Sequence, residues 1–285
     1  MATAVVRARD TLHAIPWLAH PTLLAVGIIV HASVLSIGCR VWWMLLERVI
    51  PARITARELW RVWAMTNPAR YVPGRIWHVG SLGVLLRGAG VPPAAMFASI
   101  AIHMWLYSLA AGAVALIALI RAPVDTALRA MITAAVLAAI AVGTHPRVLR
   151  SVIALTGRLA RQSALEWRCG WATALGFVAI DVVVHVATGV AVAMVLIATL
   201  GLDPISIPRI VASNAASFLA GYVSLVPVGI GVREAAMTLL LEPALPVGRA
   251  AIAAVVARVT LMVSEVVLAA VAIAMRPAQR LSTGA

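Results

Sequence analysis

The chain has 285 residues, of which 63% are hydrophobic and 12% are charged, and its mean hydropathy is +1.01. A soluble core of this size cannot bury so much apolar surface, so the composition excludes a soluble globular domain and predicts an integral membrane protein. The sequence contains 23 arginines, no lysine and a formal net charge of +13. Since no nucleic-acid-binding motif is present, this charge favours anionic lipid over nucleic acid as the partner.

The first half of the chain alternates apolar runs with one divided segment. The run at 22–46 is long enough to cross a bilayer, which takes about 20 helical residues, and too long for the core of a cleaved signal peptide. In the segment at 55–90, a proline and glycine break with the sequence YVPG at 71–74 divides the apolar residues. Two further runs, at 94–120 and 127–144, each predict a span.

The second half has a similar organisation. The stretch at 145–170 alternates arginines with apolar residues, a pattern typical of a basic amphipathic helix on anionic lipid or of a plain linker helix. The run at 171–200 predicts a long span. A second divided segment lies at 209–246 with its break at 226–229, and the last span is predicted at 248–275.

A shift of 154 residues relates the two halves. The prolines at both breaks and the flanking spans follow this shift. The related positions are Pro73 with Pro227, Pro92 with Pro246, 22–46 with 176–200, and 94–120 with 248–274. The span at 127–144 has no counterpart, so an odd number of crossings separates the two units. They are therefore expected to run in opposite directions across the membrane.

The expected fold class is all-α, a polytopic membrane protein that forms a single membrane domain over 1–285. It is an inverted repeat of span, re-entrant helical hairpin and span. The first repeat covers 22–120, a linking span and cytoplasmic amphipathic helix cover 127–170, and the second repeat covers 171–275. Backbone exposed at the breaks must face protein or water, which implies a lined cavity. Amphipathic surface helices joined by ordinary turns are the alternative.

The distribution of arginines predicts the orientation, because short loops rich in arginine stay on the cytoplasmic side. The stretch at 47–93 carries seven arginines and that at 145–170 carries five, whereas those at 121–126 and 201–209 carry one each. We therefore expect an integral protein of a bacterial or archaeal cytoplasmic membrane, with its C-terminus on the cytoplasmic side.

Asp181, His185, Arg258 and Glu265 are ionisable residues inside predicted spans, where each charge costs about 2.5 to 3.5 kcal/mol on insertion scales. Asp181 and His185 are one helical turn apart and close enough to hydrogen-bond each other. Arg258 and Glu265 lie about two turns, or ~10 Å, apart, and are expected to line a common surface without pairing. We predict that all four line a cavity or relay protons, and ordinary interhelical hydrogen bonds are the alternative. His31 maps onto His185 under the shift of 154 residues.

The two breaks concentrate residues suited to binding. The predicted substrate-binding residues at the first break are Asn67, Arg70, Tyr71, Arg75, Trp77 and His78. Arg233 and Glu234 are predicted to bind substrate at the second break, because arginine binds phosphate oxygens in a bidentate manner and a helix start attracts anions. An ion pair between these two residues that merely stabilises the break is the alternative. The residues expected to form the structural breaks are Pro73, Gly74, Pro227, Gly229 and Gly231.

The stretches ARYVPGRIWHVG, LLRGAGVP and SLVPVGIGVREAAMTLLL resemble the transmembrane region of lysylphosphatidylglycerol synthases and the related stand-alone flippase-like membrane proteins. The resemblance implies an inverted-repeat domain with two re-entrant hairpins that moves lipids with charged headgroups between leaflets. Members of the family are also associated with polyprenyl-phosphate sugars and cell-envelope glycolipids. The sequence ends at Ala285 without the soluble aminoacyl-transfer domain of the full synthases, so lysyl transfer is not expected.

The expected function is a membrane lipid translocase that moves a phospholipid, a polyprenyl-phosphate sugar or a glycolipid with a charged headgroup between leaflets. The expected partners are membrane lipids with anionic headgroups and an envelope glycosyltransferase or synthase. No cofactor, metal site or enzymatic activity is expected, because the ten acidic residues form no paired-carboxylate or metal-spaced pattern. A membrane-embedded enzyme acting on a lipid-linked sugar or phosphate, and a non-transporting scaffold for a glycosyltransferase, are the alternatives.

Overall fold

The computed structural model describes residues 20–50, 54–71, 76–120, 124–159, 165–224 and 226–275, with the backbone alone at 76–79, 159, 205, 227 and 247. Within these ranges every regular element is a helix. The helices are α1 (Pro21–Val49), α2 (Ala56–Thr66), α3 (Ile76–Gly88), α4 (Pro93–Ala115), α5 (Thr126–Gly143), α6 (Pro146–Leu159), α7 (Trp171–Leu200), α8 (Ile207–Val223), α9 (Val232–Leu241) and α10 (Val247–Ala274). Tighter 3₁₀ turns lie at Asn67–Tyr71, Leu116–Ile120, Pro204–Ser206 and Pro227–Gly229.

Five helical stretches of the described chain are long and apolar enough to cross a membrane. They are Pro21–Val49, Pro93–Ile120, Thr126–Gly143, Trp171–Leu200 and Gly248–Ala274. Their lengths run from 18 to 30 residues, against the ~20 that a bilayer core requires. They coincide with the five predicted spans to within a few residues, which confirms the prediction of an all-helical fold with five helices long and apolar enough to cross a membrane.

The first divided segment forms α2 and α3. The Thr55 hydroxyl accepts a hydrogen bond from the Glu58 amide at 3.2 Å and so caps the start of α2. Beyond Thr66 the chain tightens into the 3₁₀ turn at Asn67–Tyr71, because Pro68 has no amide hydrogen to continue the α-helical pattern. The predicted break residues Pro73 and Gly74 lie outside the described residues.

The second divided segment forms a helical hairpin in which α8 packs against α9. At its tip Val228, Gly229 and Gly231 have φ angles of 57°, 66° and 81°. Glycine adopts this left-handed region readily, whereas a β-branched valine does so only under strain. The Glu234 side chain accepts a hydrogen bond from the Gly231 amide at 2.7 Å, which satisfies a free donor at the start of α9. The reversal is therefore fixed by local geometry.

Small residues bring the central helices into close contact. A Cβ atom added to Gly27 of α1 would lie 2.8 Å from Cγ2 of Val195 in α7. One added to Gly189 of α7 would lie 2.6 Å from Cα of Val211 in α8. Lipid tails are as apolar as leucine, so helices in a bilayer associate through close packing of this kind. His31 on α1 and His185 on α7 are both buried in this central region.

Helices α5 and α6 lie at the edge of the bundle, where α5 packs on α4 and α6. In α6, Leu149 and Ile153 are buried, and the helix packs on α4. Arg147, Arg150 and Arg158 lie on its exposed surface. This helix is basic and amphipathic, as expected for the stretch at 145–170, although it ends at Leu159. Its contact with anionic lipid stays a prediction.

The helix boundaries follow the shift of 154 residues. Pro93, the first residue of α4, falls on Val247, the first residue of α10, and α1, α2 and α3 fall on α7, α8 and α9. The packing follows the same correspondence: α4 packs on α7 and α8, and α10 packs on α1 and α2. The two halves therefore contribute similar sets of helices, each packed against the other half.

Candidate functional site

A cavity of about 250 Å³ lies between the two halves. Its walls come from α1, α4, α7 and α10 and from both divided segments. Most of the wall is apolar, with the rings of Trp42, Trp63, Tyr107 and Phe218 among the lining groups. The polar and charged lining residues are His31, Asn67, Arg70, His103, His185, Thr188, Asn214, Arg233 and Glu265. Small-molecule pockets span ~300 to 1,000 Å³, so the space suits a headgroup better than a whole lipid.

Two ion pairs connect α10 to the two divided segments. Arg70 of the first segment donates to the Glu265 carboxylate of α10 and to the Tyr71 hydroxyl, the latter at 3.2 Å. Glu234 of the second segment pairs with Arg258 of α10 across 3.4 Å. Glu265 and Arg258 are thus charges of opposite sign on α10, and each is neutralised by a different divided segment. Arg258 and Glu265 do not pair with each other, because each has its own partner.

Tyr71 lies between the two cations that take part in these pairs. The guanidinium carbons of Arg70 and Arg258 are 5.2 and 5.5 Å from the centre of its ring, within the range of a cation–π contact. Arg258 also donates a hydrogen bond at 2.9 Å to the carbonyl of Val228, the residue with the strained backbone. Arg258 therefore stabilises the tip of the second hairpin from the side of α10.

Arg233 reaches the cavity through a gap left by two glycines. A Cβ atom added to Gly221 or to Gly229 would collide with the aliphatic stem of Arg233. Its guanidinium carbon lies 5.4 Å from the ring centre of Phe218. Within the described residues it has no carboxylate partner. The alternative pair with Glu234 is not formed, since adjacent helical residues point in different directions and Glu234 faces Arg258.

A second polar group surrounds Asp181. Its carboxylate is fully buried, and Oδ1 lies 3.7 Å from Nε2 of His103 on α4. His185 contacts the Tyr107 carbonyl through Nε2 at 3.0 Å, and its ring stacks on the Tyr107 ring with centres 3.9 Å apart. The predicted hydrogen bond between Asp181 and His185 is therefore wrong. Both residues lie on α7, but each faces a different group on α4.

Eight buried side-chain atoms in and beside the cavity have no hydrogen-bond partner among the described residues. They are His31 Nδ1, Asn67 Nδ2, Arg70 Nε, His103 Nε2, both carboxylate oxygens of Asp181, His185 Nδ1 and Glu265 Oε2. Buried polar atoms are rarely left without partners. Such a concentration around one cavity favours a polar occupant, either water or a ligand.

The structure brings most of the predicted site residues to one region. Asn67, Arg70, His185, Arg233 and Glu265 line the cavity. Tyr71 and Asp181 contact the lining residues Arg70 and His103, and Glu234 and Arg258 pair with each other in a smaller pocket that Arg233 also lines. Gly229 and Gly231 lie at the tip of the second hairpin, as does the backbone of Pro227. Arg75 and the side chains of Trp77 and His78 lie outside the described residues.

Several lining residues were not among the predicted site residues. His103 is an ionisable residue inside a predicted span, so the argument applied to Asp181 also applies to it. Tyr107 lies one turn further along the same span, and the same argument applies to its ionisable hydroxyl. Asn214 and Phe218 carry no such signal, because an amide and an aromatic ring in an apolar helix are usually explained by packing.

Comparison of the chain with protein-family models, with curated proteins and with solved structures finds no match. Among the residues that the structure describes, no group of three or more His, Cys, Asp and Glu side chains is arranged to bind a metal ion.

Proposed function

We propose that the protein is a membrane lipid translocase that moves a lipid with an anionic, phosphate-bearing headgroup between leaflets. The observation that carries this proposal is Arg233, whose guanidinium faces the cavity without a carboxylate partner among the described residues. A cation kept inside a membrane bundle is costly unless an opposite charge is supplied. Its planar donors match the oxygens of a phosphate group.

The balance of charge supports a headgroup with one negative charge. Three arginines, Arg70, Arg233 and Arg258, face two glutamates, Glu234 and Glu265, at the same end of the site. Three positive charges minus two negative charges leave one positive charge, and Arg233 carries it. A phosphodiester supplies a single negative charge at neutral pH and would neutralise this excess.

The shape of the site suits a lipid whose chains stay in the bilayer. The cavity of about 250 Å³ accepts a headgroup, and its largely apolar wall allows the first part of an acyl or prenyl chain to follow. Asn67 Nδ2, which has no hydrogen-bond partner among the described residues, is available to a hydroxyl or sugar oxygen. The resemblance of 69–80 and 224–241 to flippase-like proteins agrees with this role.

The arrangement of helices supports an inverted repeat that alternates access to the cavity. The same packing relations occur twice, as α4 on α7 and α8 and as α10 on α1 and α2. An unmatched span between the repeats would give them opposite orientations, and arginine-rich loops would place the C-terminus on the cytoplasmic side. Rocking of one repeat against the other would then expose the headgroup site to each leaflet in turn.

A flipping assay in proteoliposomes tests the proposal. Phosphodiester, phosphomonoester, polyprenyl-phosphate and neutral lipids, each with a reducible fluorophore on a hydrophobic chain, are reconstituted with the protein. A membrane-impermeant reductant then quenches the fluorophores in the outer leaflet. Wild type is expected to move an anionic lipid, and Arg233→Ala is expected to be slower by about tenfold or more, because a charge-assisted hydrogen bond contributes ~1.5 to 3 kcal/mol.

The matched control is Arg150→Ala on α6, where the arginine is exposed and does not line the cavity. It is expected to move lipid at the wild-type rate. Absence of movement by wild type for every lipid tested would contradict the proposal, as would equal rates for wild type and Arg233→Ala.

A further inference from the structure

Asp181 and His103 form a buried pair at the histidine end of the cavity. Asp181 is 0% exposed and His103 is 9% exposed. The distance of 3.7 Å between Oδ1 and Nε2 permits an ion pair but is longer than a hydrogen bond. The two carboxylate oxygens of Asp181 and Nε2 of His103 have no hydrogen-bond partner in the described part of the chain. A carboxylate without hydrogen-bond donors in such a place is sensitive to the charge of the cavity beside it.

The pair is connected to the cavity through His103. His103 lines the cavity directly, whereas Asp181 lies behind it. Tyr107, one turn along α4, has its ring centre 5.9 Å from that of His103 and stacks on His185. A proton can therefore pass between the cavity and Asp181 by rotation or protonation of one imidazole, without a path through the apolar helices.

We propose that Asp181 and His103 together bind one exchangeable proton, and that this proton is taken up when an anion binds at Arg233. The proton comes from hydronium or a buffer acid in the aqueous phase: the donor's bond to hydrogen breaks as one O–H bond forms on Asp181 or one N–H bond forms on His103. Negative charge entering a cavity of low dielectric raises the proton affinity of groups around it. The headgroup then neutralises Arg233 and the proton neutralises the Asp181 carboxylate, so neither charge is left unpaired in the loaded site. The role of this proton in transport rests on the proposed function.

Other titratable and charged groups border the same cavity and contribute to the electrostatic environment of Asp181 and His103. They are His31 on α1, Arg70 after α2, His185 on α7, Arg233 on α9 and Glu265 on α10. Arg70 and Glu265 neutralise each other. The cation whose field an anion would cancel is therefore Arg233.

Calorimetry on the purified full-length protein tests the proton uptake. Dihexanoylphosphatidylglycerol, a short-chain phosphodiester lipid that does not titrate near neutral pH, is added below its micelle concentration. The heat is measured in buffers of different ionisation enthalpy, which gives the number of protons bound per anion. Wild type is expected to take up about one proton per lipid bound, and Asp181→Asn and His103→Gln are expected to take up none per lipid bound, whatever their affinity for the lipid.

The matched control is Asp125→Asn. Asp125 is an exposed carboxylate that caps α5 by accepting a hydrogen bond from the Leu128 amide at 2.7 Å, a role that asparagine fills equally well. This variant is expected to keep the wild-type proton uptake. If Asp181→Asn does not fold, His103→Gln carries the comparison, and size-exclusion chromatography establishes which variants are folded.

The outcomes separate this proposal from the proposed function. Lipid binding by wild type without proton uptake overturns the proton site and leaves the anion site intact. If wild type binds no lipid, the anion site fails, and infrared titration of the unliganded protein then decides the proton site. A titrating carboxyl band that disappears in Asp181→Asn supports the buried pair, and absence of such a band overturns it.

Discussion

Arg233 depends on two glycines that come from different parts of the second hairpin. Gly221 lies in α8 and Gly229 lies at the tip, and the stem of Arg233 packs against both. Such a stem can pass through an apolar wall because its methylene groups are themselves apolar and the charge lies at the end. The absence of a Cβ atom at these two positions therefore determines where the positive charge is located.

Gly221→Ala tests this dependence. The added Cβ atom would collide with Cγ of Arg233 and lie 3.3 Å from Cα of Gly229, so the hairpin must open or Arg233 must move. Overpacking of this kind costs typically ~1 to 3 kcal/mol. We expect a lower thermal midpoint in detergent and weaker binding of dihexanoylphosphatidylglycerol.

Gly176→Ala on α7 is the control for this substitution. No atom lies within 4 Å of a Cβ atom added there, and alanine stabilises a helix by about 1 kcal/mol relative to glycine. We expect an unchanged or higher thermal midpoint and the wild-type affinity for dihexanoylphosphatidylglycerol. A Gly221→Ala protein as stable and as active as wild type would show that the contact with Arg233 is unimportant.

The hydrogen-bond and ion-pair partners of individual residues were the hardest feature to predict. The spacing of Asp181 and His185 correctly put both on one helix, but the partner of each is on α4. Sequence spacing describes neighbours within a helix, whereas a buried polar group takes the partner that tertiary packing provides. The same limit applies to Glu234, which faces Arg258 across the hairpin interface rather than Arg233 beside it.

Helix α10 is the element that joins the two hairpins. Glu265 pairs with Arg70 of the first segment, and Arg258 pairs with Glu234 of the second. The two contacts have opposite polarity, so neither hairpin can exchange partners with the other without placing like charges together. A change in the position of α10 would therefore alter both hairpins, as a mechanism of alternating access requires.

A double-mutant cycle on Arg70 and Glu265 measures one of these contacts. Arg70→Gln and Glu265→Gln are made singly and together, and the free energy of unfolding is measured in mixed micelles. Because Glu265 is 1% exposed, removal of one partner leaves a buried charge unpaired. We expect a coupling energy of about 2 kcal/mol, within the range of contacting pairs.

The pair formed by Glu166 and Arg168 is the matched control for this cycle. Its atoms are 3.7 Å apart and its side chains are 71% and 57% exposed. Exposed ion pairs contribute ~0.2 to 1 kcal/mol. We therefore expect a coupling energy near ~0.2 kcal/mol for this pair. Equal coupling in the two cycles would contradict a structural role for the contact between Arg70 and Glu265.

At the scale of the whole molecule, length and hydropathy were sufficient to predict the five spans. A bilayer imposes one length on every crossing helix, so the apolar runs alone determine α1, α4, α5, α7 and α10. The cavity could not be predicted in the same way. It depends on close contacts such as Gly189 against Val211 and on the strained backbone of Val228, which arise from packing rather than from composition.

Labelling of introduced cysteines tests the opposite orientation of the two halves. If both divided segments are re-entrant, the two ends of each lie on one face of the membrane, and the two segments open to opposite faces. Exposed positions at the ends are Arg57 and Arg87 for the first segment, and Asp203 and Ala244 for the second. Background labelling is expected to be low, because Cys39 and Cys169 are both buried.

In right-side-out vesicles, a membrane-impermeant maleimide is expected to label Asp203→Cys and Ala244→Cys but not Arg57→Cys or Arg87→Cys, since arginine-rich loops stay cytoplasmic. Permeabilised vesicles should label all four, which shows that each thiol is reactive. Labelling of Arg57→Cys and Arg87→Cys from opposite sides would mean that the first segment crosses the membrane. Labelling of all four positions from one side would rule out the inverted repeat, because both segments would then open to the same leaflet.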